Sequence, residues 1–82
     1  MNLEQERIHI LTQAAEGRER EVMHYQINID NFERAIAEIE ENHIDEPHMV
    51  EYADQMRELR RTSLIEQAKE SVMLKVIRDQ LA

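Results

Sequence analysis

The residues best suited to chemistry gather at His43-Ile44-Asp45-Glu46-Pro47-His48, where two imidazoles and two carboxylates fall within six positions. Imidazole nitrogen and carboxylate oxygen are suitable ligands for Zn²⁺ or a similar ion. The spacing argues against such a site. Paired ligands usually lie one helical turn apart, whereas His43 and His48 are five residues apart across a proline. A structural role accounts for all of these residues: a polar connection between helices, with Asp45 as cap, Pro47 in the first turn and both histidines solvated. No metal and no cofactor is expected. His9 and His24 stand alone and are expected to be exposed.

Carboxylates could also perform acid–base catalysis, which needs a pair held in differing environments within a cleft. Glu38, Glu40 and Glu41 instead flank helix positions already taken by Ile36 and Ile39. With one glycine and no cysteine, the chain has neither a glycine-rich phosphate loop nor a thiolate nucleophile. No serine stands in an activating arrangement. The expectation is a protein that is not an enzyme.

Charge is the remaining signal. Residues 35–56 hold Glu38, Glu40, Glu41, Asp45, Glu46, Glu51 and Asp54 and no lysine or arginine, a segment charge of −7. The rest of the chain has 11 acids against 10 bases, which completes the net −8. Direct binding of nucleic acid needs a basic footprint and is not expected. The seven acids form the candidate partner-binding site. Crowded like charges repel, and a basic surface on another protein would relieve them and speed encounter. Read structurally, the same residues are a solvated tip.

The elements that must position these residues are helices. One glycine and one proline in 82 residues supply too few turns for a sheet. Around Tyr25-Gln26-Ile27-Asn28-Ile29 the apolar residues alternate as in a strand, but a longer pattern overrides this. With Ile8, Ala15, Val22, Ile29, Ile36 and His43 at a positions and Leu11, Arg18, Tyr25, Phe32 and Ile39 at d, nine of eleven are apolar. A 3.5-residue repeat of that length is a helix packed on another helix. Arg18 is the internal exception, expected to snorkel or pair with an acid.

Asn2 and Gln5 have capping-box spacing, so helix 1 is expected over about 2–42, roughly 60 Å at 1.5 Å per residue. A turn at 43–47 and a second helix over about 47–80 complete one domain spanning 1–82. Gly17 is expected to be a soft spot, about 1 kcal/mol worse than alanine in a helix. Helix 2 is less regular. Met49, Tyr52, Ala53, Met56 and Leu59 share one face, while Ile65, Ala68, Val72 and Val76 share another. The slip falls at Arg60-Arg61-Thr62-Ser63, where the helix either breaks at 61–63 or continues with its halves facing different neighbours.

The fold class predicted is all-α, a long antiparallel, coiled-coil-like helical hairpin. A hairpin this small buries little apolar surface, and with no cysteine there is no disulfide to add stability. The run Ser71-Val72-Met73-Leu74-Lys75-Val76-Ile77 is greasy on several faces, more than helix 1 can cover. Leu64, Val72, Met73, Leu74 and Ile77 are therefore the expected oligomer interface of a homodimer, two hairpins forming a four-helix assembly. No segment approaches the length of a membrane span, and the acidic amino terminus is unlike a signal peptide, so a soluble cytoplasmic protein is expected.

Function follows as an expectation: a small acidic interaction protein whose tip meets a basic protein surface. Its sharpest form is an inhibitor that mimics nucleic acid on a DNA- or RNA-handling enzyme. The alternative is a structural coiled-coil protein whose role is self-association. In being small, acidic, helical and cysteine-free, the chain resembles accessory proteins of bacteriophages that modify host enzymes. This likeness is one of length and composition only, with no aligned motif and no family, and a phage-encoded chain is an expectation resting on that alone.

Overall fold

The computed structural model describes residues 2–82 and consists of two helices, α1 (Leu3–Asn42) and α2 (Pro47–Leu81). They lie antiparallel, as cross-links between distant residues show: Arg7 meets Gln80, Arg18 meets Glu70 and Arg60 meets Glu33. The result is a rod whose Cα atoms extend 65 × 16 × 15 Å, with a radius of gyration of 18.6 Å. A compact chain of this length would have about 12 Å.

Local chemistry sets the ends of the helices. Asn2 caps α1, its side-chain oxygen accepting the Gln5 backbone N–H at 2.8 Å. The helix then continues unbroken through Gly17 to Asn42. Pro47 opens α2, as expected, but the cap before it is Glu46 and not Asp45. A residue preceding proline is pushed out of the helical region, and Glu46 is accordingly extended at φ −105° and ψ 103°. Its carbonyl accepts the first two bonds of α2, from the backbone N–H groups of Met49 and Val50. Its side chain turns back to His43.

The buried and half-buried positions of α1 include Leu11, Ala15, Arg18, Val22, Tyr25, Ile29, Phe32, Ile36, Ile39 and His43, the heptad seam read from the sequence; Ile8 at its start is exposed. On α2 the matching seam is Met49, Ala53, Met56, Arg60, Ser63, Gln67, Glu70, Leu74 and Ile77, in steps of four and three throughout. Helix α2 therefore neither breaks nor changes phase at 60–63. What changes is chemistry, because the middle of its seam is polar.

Three of those polar residues, Arg60, Gln67 and Glu70, are matched across the hairpin, Arg60 donating to Glu33 at 2.8 Å. Arg18 donates to both oxygens of Glu70, at 3.1 and 2.9 Å. The Gln67 amide donates to the Val22 carbonyl at 3.1 Å and to the Gln26 side chain at 2.9 Å. A one-turn slip would set Glu70 against Ala15 or Val22 in place of Arg18, so this pair favours one register. Apolar packing lies to either side of them. Toward the open end Leu11 packs on Ala15, Leu74 and Ile77, and toward the bend Ile29, Ile39, Ala53 and Met56 are buried.

This corrects the expected oligomer interface. Leu74 and Ile77 are only 8% and 7% exposed and belong to the seam inside one hairpin. Leu64, Val72 and Met73 do lie on the surface. Position around the helix separates them: Val72 is two residues from both Glu70 and Leu74, about 200° away from the seam.

Candidate functional site

The bend gathers the acidic residues at one end of the rod. Glu38, Glu40 and Glu41 occupy the last turns of α1, Asp45 and Glu46 the connection, and Glu51 and Asp54 the first turns of α2. Their environments differ. Glu38 accepts from the Asn42 amide at 3.0 Å, and Glu46 pairs with His43 Nδ1. Glu40 and Asp54 share one cation, Arg57, which donates to Asp54 at 2.7 Å and to Glu40 across the hairpin. Among the described residues Glu38, Glu41, Asp45 and Glu51 make no ion pair, and of these Glu41, Asp45 and Glu51 accept no side-chain hydrogen bond either, so the bend's negative potential is least compensated there.

Arg57 lies one residue beyond the acidic segment and enters it through the fold. Counting it, residues 35–57 hold seven acids and one arginine, a charge of −6. The hydrogen bond to Glu40 raises the Arg57 pKa above the ordinary arginine value, with Asp54 adding to it and desolvation opposing. The guanidinium thus carries its charge between the two helices, in a pair that is exposed and screened by solvent.

An apolar feature lies within this acidic end, and the periodic pattern gave no sign of it. Ile39, Ile44, Val50 and Ala53, with Glu40 and Arg57 at the edge, line a groove of about 410 Å³. Ile39 and Ala53 form its buried floor, while Ile44 is 67% exposed and Val50 40%. Large aliphatic side chains are left open to water in the midst of acids. Interfaces that bind with specificity have this make-up, an apolar centre within a polar rim. Ile44 is isolated in a polar turn, and only its exposure beside Val50 marks it.

His43 is half-buried against Glu46 and His48 is exposed in the first turn of α2. Among the described residues no three His, Asp or Glu side chains are grouped to hold an ion. Among the described residues no helix is long and apolar enough to cross a membrane.

Compared with protein-family models, with curated proteins and with solved structures, the chain matches none.

Proposed function

We propose that this chain is a non-enzymatic interaction protein that docks its acidic bend on a basic surface of another protein. The supporting observation is the groove of Ile39, Ile44, Val50 and Ala53 set among carboxylates, of which Glu41, Asp45 and Glu51 have no internal ion pair. The carboxylates steer and orient the encounter, and the aliphatic groove receives an apolar side chain of the partner. The matching surface carries lysine or arginine around a protruding aliphatic or aromatic residue. A nucleic-acid-handling enzyme offers such a basic surface, and occupying it would make this chain an inhibitor, acting in the cytoplasm.

Affinity capture from a host lysate, run in parallel with variants, tests the proposal. The triple variant E41K/D45K/E51K spares every acid that is paired inside the hairpin, and I44S removes the exposed anchor. A specific partner is retained by the wild type at low salt and lost from both variants, with helicity unchanged. Retention by both variants would refute the docking role of the bend.

A second reading, self-association as the main role, is supported by a different observation. The outer face of α2 carries Ile65, Val72 and Val76 at 50%, 61% and 46% exposure, far from the bend. Under this reading the bend variants keep their function, and polar substitutions on that outer face remove it.

A further inference from the structure

The outer face of α2 is also the surface that identifies what covers it. Ile65, Ala68, Val72 and Val76 recur at intervals of three, four and four residues and form one line along the helix, on the side away from α1. We infer that this line is the contact between two copies of the chain, packed antiparallel about a two-fold axis near Glu70. The inference rests on the self-association reading and is independent of what the bend binds.

Three observations support it. The first is area. The chain exposes 6211 Å², whereas a compact monomer of 9.8 kDa exposes about 5,200 Å². The excess, about 1,000 Å², is of the size that a standard interface removes from each partner, about 800 Å². The second is the small internal core. Among the described residues seven are buried, and two of those are alanines. A chain of this size with so thin a core needs a further apolar contact, and a second copy is the partner present whenever the chain is.

The third is charge, which also sets orientation. Residues 58–82, beyond the bend, hold five bases (Arg60, Arg61, Lys69, Lys75, Arg78) and four acids, a net +1, so this is the least acidic part of the molecule. A parallel pair would bring two bends of −6 side by side and set Arg61 against Arg61. An antiparallel pair centred near Glu70 sets Arg61 of one copy opposite Asp79 of the other, twice by symmetry, with Ala68 facing Val72 between them. Arg61 is paired in its own helix with exposed Glu58, and Asp79 with exposed Lys75, so the four groups form one alternating cluster. The bends then point to opposite ends, far beyond a Debye length of about 8 Å. The assembly is a longer rod with a docking end at each extremity.

The chain has no cysteine, so one introduced label reports its own distance. Exposed His48 in the first turn of α2 is replaced by cysteine and spin-labelled for pulsed electron resonance, with mass measured by sedimentation. Residue 48 lies 22 residues from the axis, so an antiparallel pair places the labels about 65 Å apart at 1.5 Å per residue. Parallel packing brings them within about 30 Å, given helix spacings of about 10 Å. R61D should weaken dimerisation on the order of tenfold, and adding D79R should restore it, as expected of charges facing across an interface.

A dimer with the long distance and charge-swap rescue is the expected result. A monomer at all accessible concentrations overturns both the inference and the self-association reading. A dimer with the short distance, or with no rescue, overturns the antiparallel contact and leaves self-association standing.

Discussion

Replacing Leu74 by alanine tests where the hairpin keeps its stability. The side chain is 92% removed from water and packs with Ala15, Ile77 and half-buried Leu11. The substitution deletes three carbon groups, worth about 0.8 kcal/mol each on transfer, or about 2.4 kcal/mol together. The cavity term adds little, because a two-helix seam has water on both flanks and Leu11 can relax inward. The expected loss is therefore about 2–3 kcal/mol, near the lower end for leucine truncation. Domains of this length hold about 4–12 kcal/mol in total, so the change is a large part of the whole.

Urea unfolding followed by helical circular dichroism, at low protein concentration, provides the assay. With a slope of about 1 kcal/mol per M, the midpoint falls by about 2 M. Leu64→Ala is the matched control: the same substitution at an exposed position on the same helix, expected to cost under about 0.5 kcal/mol. Protein concentration decides between the two placements of Leu74. A residue in the internal seam destabilises even dilute protein, whereas an interface residue matters only where copies associate. If L74A were silent in dilute solution and harmful only in concentrated solution, the seam assigned to α2 would be wrong.

Gly17→Ala is expected to stabilise the fold by about 1 kcal/mol, raising Tm by about 5 °C in a thermal melt, because an added Cβ meets nothing within 4 Å. Arg18→Ala leaves Glu70 without its cross-helix partner and should cost about 1 kcal/mol by urea titration, modest because the arginine is partly solvated. The double replacement R18L/E70L should restore or exceed wild-type stability, since an apolar pair can replace an ion pair at no net loss. E41K/D45K/E51K should leave helicity intact and abolish retention of a basic partner at low salt. R61D should weaken dimerisation, and adding D79R should recover it, as sedimentation will show.

Helix α1 could be read directly because every core position between Ala15 and Ile39, apart from Arg18, carries an apolar side chain. Its heptad, its cap at Asn2 and its stop at Asn42 then follow from rules about period and end chemistry. Helix α2 could be read as a helix, and its facing as far as Met49, Ala53 and Met56 but not beyond. Arg60, Ser63, Gln67 and Glu70 occupy its seam, and hydropathy cannot mark a core position that is filled by a hydrogen bond. The apolar period that stood out in that region belonged to the outer line of Ile65, Val72 and Val76. The run 71–77 is apolar on several faces, so sequence alone does not separate Leu74 and Ile77, which face α1, from Val72, which faces away. At the bend, the acids were visible from charge alone. The Arg57 pair and the aliphatic groove were not, because each depends on which residues the antiparallel register brings together.

That register joins the polar seam to the bend. Ile39 and Ala53 share the groove floor only if α1 and α2 keep one alignment along the whole rod. Aliphatic seams alone tolerate sliding, since one turn of shift replaces an isoleucine by another apolar residue. Glu70 does not tolerate it, because a one-turn shift in either direction sets it against Ala15 or Val22 in place of Arg18. Polar residues in mid-rod therefore hold the geometry of a surface near its end. They weaken the core where they sit and keep the bend in one shape. R18L/E70L separates the two effects: stability should hold or rise, while retention of a bend-binding partner should fall as alternative registers become populated. Retention at the wild-type level in that variant would show that the aliphatic seam sets register unaided.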